Sequence, residues 1–164
     1  MKAVKLIDTS ILCELLKIPG KSDPTISEKV KKEFVRQAKK DVRFILPLAT
    51  VVETGNHIAQ NGDGNIRRAK AQELVDFVNQ SLEQESPFLP PPFWQAEDLR
   101  AWMARFPDAA MREIGLGDVS IQRDLERAKE LLHLPTDVPI EIWSKDCHLS
   151  FQPPHRRGVK VNES

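Results

Sequence analysis

The segment AVKLIDTSIL, residues 3–12, carries the pattern from which the fold is predicted. Residues 3–8 form a short, mostly apolar run that ends in an acid, which is typical of a buried β-strand. Thr9 and Ser10 follow immediately, and both are good N-cap residues, so a helix is expected to begin at one of them. A buried strand that passes directly into a helix is the first unit of an α/β fold.

The same alternation of apolar runs and amphipathic segments continues along the chain. The further strands are expected at residues 43–46, 88–89, 139–143 and 158–161. The further helices are expected at residues 48–60, 66–82 and 97–105, with others opening at Thr25, in a capping-box pattern, and at Asp118. This alternation predicts an α/β fold: a three-layer α/β/α sandwich with a mostly parallel central sheet of four or five strands. We expect it to form one domain over residues 1–164.

The charge balance is even, with 24 Lys and Arg against 24 Asp and Glu. Proteins that bind nucleic acid tightly usually carry a basic excess, because cationic side chains supply the affinity for phosphates. A neutral chain can still act on RNA if basic residues are concentrated locally. Candidate basic patches lie at residues 29–40, 67–70 and 156–160.

No membrane or export signal is found in the sequence. No apolar run approaches the ~20 residues that span a bilayer, and the apolar stretch at the N-terminus is too short for a signal peptide. We therefore expect a cytoplasmic protein with no membrane partner. The two cysteines, Cys13 and Cys147, are expected to be free thiols in that reducing compartment.

Four acids follow apolar segments that are predicted to lie in one sheet layer. Asp8 ends the first strand, Asp146 follows the last long one, and Asp118 sits at the opening of a helix. Glu53 lies one to two turns into the helix after the second strand. Ligands of open parallel sheets bind beyond the carboxyl ends of the strands, so these side chains are expected to meet there.

A cluster of carboxylates is costly unless a cation neutralises it. Ligands that are all oxygen suit Mg²⁺ or Mn²⁺ better than zinc, and such ions support phosphodiester hydrolysis. Taken singly, each acid also has an ordinary explanation: a turn residue at Asp8, a helix N-cap at Asp118, a loop acid at Asp146 and an exposed helical charge at Glu53.

Four short segments, in this order, resemble the acidic motifs of PIN-domain nucleases. The segments are LIDTSIL at residues 6–12, ATVVE at 49–53, GLGDVSI at 115–121 and IWSKD at 142–146. The resemblance spans residues 3–150, and the subgroup that the chain resembles most is the VapC-like toxins of bacterial toxin–antitoxin pairs.

The resemblance implies a metal-dependent endoribonuclease. By this likeness Asp8, Glu53, Asp118 and Asp146 would bind Mg²⁺ or Mn²⁺ and position the attacking water. Ser10 would lie at the edge of the catalytic site. The implied partners are an RNA substrate, a cognate antitoxin and a second copy of the chain in a homodimer.

Two other functions stay open from the sequence. A non-catalytic PIN-like scaffold would bind RNA or protein without cutting it. An aspartate-dependent phosphatase would use Asp8 as its nucleophile, although such enzymes place a second acid two residues later, where this chain has Ser10. His57, one helical turn after Glu53, is either an assistant in the chemistry or an exposed helical histidine.

Overall fold

The computed structural model describes residues 1–91 and 94–145, which form alternating strands and helices. In chain order these are β1 (Ala3–Ile7), α1 (Thr9–Leu15), α2 (Pro24–Lys39), β2 (Val42–Ile45), α3 (Leu48–Ala59), α4 (Gly64–Leu82), α5 (Ala96–Ala110), α6 (Leu116–Leu131) and β3 (Ile140–Trp143). None of the helices that the structure describes is both long enough and apolar enough to span a bilayer.

The strands form one parallel sheet in the order β2–β1–β3. Lys5 of the central strand lies opposite Phe44 of β2 and Glu141 of β3. The chain thus adds β2 on one side of β1 and later returns to add β3 on the other. A reversal of this kind opens a crevice at the carboxyl end of the central strand, where α/β proteins bind their ligands.

Helices pack on both faces of this sheet, as a parallel sheet requires. Val4 and Leu6 of β1 point to one face and pack with Ile121 of α6, in a cluster of fully buried side chains. Ile7 belongs to the opposite face, where the larger apolar cluster includes Phe44 and side chains from α1, α2, α3 and α4. The α/β class and the parallel sheet are therefore confirmed.

The predicted number of strands is wrong for the part of the chain that the structure describes: the sheet has three strands, rather than four or five. At the expected strand of residues 88–89, Phe88 forms only an isolated bridge to Phe44. Pro87 precedes this bridge and prolines follow it at positions 90 and 91, and proline has no N–H with which to extend a ladder. The edge strand expected at residues 158–161 lies outside the described residues, and the single domain over residues 1–164 stays a prediction.

Several of the described helices begin earlier than the sequence predicts, and in α1, α2 and α4 an aspartate is the N-cap. Asp8, and neither Thr9 nor Ser10, caps α1. Asp23 caps α2 by accepting hydrogen bonds from the N–H groups of Thr25 and Ile26. Aspartate and the hydroxyl residues cap helices about equally well, so the sequence alone could not rank neighbouring candidates.

Candidate functional site

Asp8 directly follows the central strand and is buried, with 7% of its surface exposed. As the N-cap of α1 it accepts a hydrogen bond from the backbone N–H of Ser10 at 3.2 Å, which satisfies one of the helix's unpaired donors. The Ser10 and Ser144 hydroxyls also donate to it, at 2.7 and 2.8 Å. All three bonds fall on Oδ2, so this carboxylate is held in one orientation.

The segment that follows β3, residues 144–145, is hydrogen-bonded to the start of α1. The backbone N–H of Lys145 donates to the Ser10 hydroxyl at 3.0 Å, beside the bond from Ser144 to Asp8. Because β3 lies parallel to β1, both strands end at the same edge of the sheet. Two segments that are 136 residues apart in sequence thereby form one wall of the site.

Glu53 extends from the second turn of α3 toward the same edge, as expected from the sequence. Its Oε2 accepts a hydrogen bond from the Thr9 hydroxyl at 2.7 Å. Its other oxygen lies against Gly117, at the start of α6: a Cβ added to Gly117 would lie 2.9 Å from Glu53 Cδ and closer still to Oε1. The carboxylate of Glu53 therefore occupies space that only a glycine leaves open.

Asp118 is the third residue of α6, and the N-cap of this helix is Gly115. The ordinary explanation that Asp118 is a helix N-cap is therefore wrong. It is half-buried, and its position in the first turn places its charge at the positive end of the helix dipole. The Glu53 carboxylate lies directly against the adjacent Gly117. Glu53 of α3 and Asp118 of α6 therefore approach the same part of the structure.

These side chains line a single open cavity of about 320 Å³ at the carboxyl edge of the sheet. Of the residues predicted for the site, Asp8, Ser10, Glu53 and Asp118 all line it. Asp146 lies outside the described residues. The remaining lining residues are Thr9, Cys13, Lys21, His57 and Lys145.

Sequence reasoning missed a buried ion pair behind this wall. Glu14 is 1% exposed and pairs with the Lys145 ammonium, while the Ser27 hydroxyl donates to its Oε2 at 2.6 Å. Burial pushes the pKa of Glu14 upward, but the hydrogen bonds from Lys145, Ser27 and the backbone of Asp23 outweigh it and lower the pKa below its ordinary value. The signal in the sequence was an acid inside the apolar face of α1, three residues after Ile11.

Cys13 and His57 also belong to the cavity wall, and both are partly or fully buried. Cys13 is a free, buried thiol whose pKa is raised, chiefly by burial, which disfavours the reactive thiolate. Cys147 lies outside the described residues. The ring atom Nδ1 of His57 is buried and has no hydrogen-bond partner within the part of the chain that the structure describes.

The donor set of the cavity fits a hard divalent cation. Asp8, Glu53 and Asp118 offer only carboxylate oxygens, which Mg²⁺ and Mn²⁺ prefer. Within residues 1–91 and 94–145, no three acidic, histidine or cysteine side chains converge closely enough to hold a bare ion. Mg²⁺, however, usually keeps several waters and is bound through one or two carboxylates, and the cavity volume suits such a hydrated ion.

Comparisons with known proteins give one distant likeness. No protein-family profile matches the chain, and no curated protein matches it in sequence. A chain of the crystal structure of VapBC2 from Rickettsia felis bound to a DNA fragment from their promoter is similar in fold, with 13% sequence identity and a TM-score of 0.47. The likeness covers 86% of this chain and 99% of that chain. At this level of similarity, the function has to be inferred from the site itself.

Proposed function

We propose that this chain is a metal-dependent endoribonuclease of the PIN type. It would hydrolyse RNA phosphodiesters with Mg²⁺ or Mn²⁺ held by Asp8, Glu53, Asp118 and Asp146. The observation that carries the proposal is the convergence of the first three of these carboxylates, from the N-cap of α1, from α3 and from α6, on one open cavity at the sheet edge. Nothing in the packing of the hydrophobic core requires three acids at that place.

The environments of Asp8 and Glu53 support a binding role for these two carboxylates. The hydrogen bonds that the described residues give Asp8 all fall on Oδ2, which leaves Oδ1 for a cation. Glu53 is oriented by the Thr9 hydroxyl and by the space above Gly117. None of the ion pairs among the described residues uses Asp8 or Glu53, whereas Glu14 and Asp98, which are structural, are both paired with basic side chains.

The chain's own residues have separable tasks in this reaction. A bound divalent cation would supply stabilisation of the negative charge that develops on the phosphodiester. Asp8 and Asp118 would hold that cation, and Ser10 and Ser144 would keep the Asp8 carboxylate in place. Glu53 lies at the more exposed side of the cavity, where it would complete the ligands of the cation and also orient the attacking water.

Single carboxylate-to-amide substitutions test the proposal. We expect Asp8→Asn and Asp118→Asn to abolish cleavage of single-stranded RNA in Mg²⁺ or Mn²⁺, because the amide keeps the shape and removes the charge. Both variants should unfold close to the wild-type temperature, because the relieved repulsion between carboxylates opposes the weakened hydrogen bonds at residue 8 and the lost helix-dipole interaction at residue 118. Asp108→Asn, at an exposed acid of α5, is the matched control and should cleave like the wild type.

Metal binding provides a second measurement that does not depend on activity. Millimolar Mg²⁺ or Mn²⁺ should raise the unfolding temperature of the wild type, and less so that of Asp8→Asn, because a ligand stabilises the state that binds it. Wild-type cleavage in either variant would refute the proposal. RNA binding without metal-dependent cleavage would favour a scaffold, and turnover of small phosphomonoesters with RNA left intact would favour a phosphatase.

We further propose that the nuclease acts as the toxin of a toxin–antitoxin pair and forms a homodimer. The four-segment resemblance to VapC-like toxins supports this finer assignment. A toxin should arrest growth when it is expressed alone, and co-expression of an antitoxin encoded beside it should restore growth and yield a stable complex. If cells that express the active enzyme alone grow normally, the toxin role is refuted and the proposed nuclease activity is not.

A further inference from the structure

The acidic cavity continues into a second, differently charged one. The second cavity has a volume of about 380 Å³ and is lined by Pro19, Gly20, Lys21, His57, Gln60, Asn61 and Gly62. Lys21 and His57 line both cavities, so the two cavities adjoin at these side chains. The lining of the second cavity contains no carboxylate, and its polar groups are an ammonium, an imidazole, two amides and backbone. The charge along the joined groove therefore changes from negative to neutral or positive.

Lys21 is presented by a short segment that hydrogen bonds hold in place. Its backbone N–H donates to the carbonyl of Ile18 at 3.0 Å, and the Ser22 hydroxyl donates to the same carbonyl at 2.8 Å. The preceding Gly20 has a φ of 77°, a conformation that glycine adopts without strain. The side chain of Lys21 forms no ion pair with any other residue that the structure describes.

His57 forms the opposite side of the junction. It lies one turn after Glu53 on α3, so both side chains point to the same groove. Its buried Nδ1 has no hydrogen-bond partner among the described residues, and a buried polar atom of that kind is costly unless a ligand or water satisfies it. Outside the cavity lining, the Arg67 guanidinium donates to the carbonyl of Asn61, one of the lining residues, at 2.6 Å.

We propose that the second cavity binds the phosphodiester next to the one that is cut, with Lys21 and His57 as its contacts. This inference rests on the proposed function and extends it: the substrate is a single-stranded polymer that crosses both cavities. The acids and their cation would receive the scissile phosphate, while the cationic junction would hold the neighbouring one. A mononucleotide or a dinucleotide would leave the second cavity empty.

The test is the binding of fluorescently labelled single-stranded RNA to the cleavage-inactive Asp8→Asn chain at several salt concentrations. Adding Lys21→Met should raise the Kd several-fold and reduce the slope of log Kd against log salt by about 0.7, the value for one lost phosphate contact on a single strand. Adding Lys129→Met, at an exposed lysine near the end of α6, is the matched control and should change neither quantity. His57→Gln should raise the Kd with a smaller change in slope.

Strand length provides the second arm of the test. On a chain that keeps Asp8, with Mg²⁺ present, the single phosphodiester of a non-hydrolysable dinucleotide goes to the acids and their cation. The effect of Lys21→Met should therefore vanish with this dinucleotide and appear as the strand is lengthened. An unchanged Kd and slope on long RNA, or an equal effect on the dinucleotide, would overturn the inference. Because binding is measured on an inactive chain or with a non-hydrolysable strand, a wild type that fails to cleave RNA would refute the proposed function and leave this result intact.

Discussion

Gly117→Ala should separate the activity of this protein from its stability. The added Cβ would lie 2.9 Å from Glu53 Cδ and closer still to Oε1, whereas ordinary contact begins at 3.4 Å. The Glu53 carboxylate must therefore retreat by more than about 0.5 Å, and its oxygen further, which strains its bond to Thr9. Misplacing a group by about 1 Å at a reacting centre costs up to about 100-fold in rate.

The same substitution should leave the fold intact. The group that must move is the end of a flexible, exposed side chain, which can swing toward solvent at little cost. Replacing a helical glycine by alanine favours the helix by up to about 1 kcal/mol, and by less in the first turn. We therefore expect an unfolding temperature equal to or above that of the wild type, together with a loss of activity of about 10- to 100-fold.

The assay compares kcat/KM for RNA cleavage with thermal unfolding, with and without Mg²⁺. Gly55→Ala is the matched control, because a Cβ there meets only Leu74 Cδ2, at an ordinary 3.9 Å, within α3. It should keep wild-type activity. If Gly117→Ala cleaves RNA within about twofold of the wild type, the location of the Glu53 carboxylate does not matter for the reaction, and our reasoning about this site is wrong.

Three further predictions concern buried polar groups. Burial raises the pKa of Asp124 from 3.8 to about 7, so its contribution to stability is full below pH 4 and is lost as the pH rises to 7. Asp124→Asn should therefore raise the free energy of unfolding in urea at pH 8 by on the order of 4 kcal/mol and change it little at pH 4. Lys145→Met leaves Glu14 buried without its cation and should lower the free energy of unfolding by about 1–2 kcal/mol. The loss should lie toward the low end because a third of the Lys145 side chain is exposed, and adding Glu14→Gln should recover part of the lost stability. Ser144→Ala removes one of three donors to Asp8 and should lower kcat/KM about 10-fold with little change in unfolding temperature.

The sequence places Asp8 and Glu53 at one edge of the sheet, because the parallel strands that precede them end at a common edge. That rule brings Asp8 and the segment after β3 together without any knowledge of side-chain packing. It also brings Glu53 to the cavity, since α3 follows β2 and begins at the same edge, whereas α6, which carries Asp118, follows α5 and not a strand. The metal, the reaction and the role of Asp146 stay predictions.

The sequence could not predict interactions that depend on packing between distant segments. The pair of Glu14 with Lys145 joins residues 131 positions apart, and its only trace was a single acid on an apolar helix face. The contact of Glu53 with Gly117 depends on the distance between α3 and α6, which no periodicity encodes. The strand expected at residues 88–89 does not form, because the surrounding prolines limit the segment to one bridge. A pattern of apolar residues predicts burial and gives no information about which backbone N–H groups can pair.

The position of β3 has a consequence for the nascent chain. On a ribosome, Asp8, Glu53 and Asp118 are all translated before the strand that brings Ser144 to the first of them. Until β3 docks, the central strand has an open edge and the Asp8 carboxylate lacks one of its three donors. An incomplete polypeptide that ends before residue 144 therefore lacks a finished site, and the cavity is complete only once β3 has been synthesised and has docked beside β1.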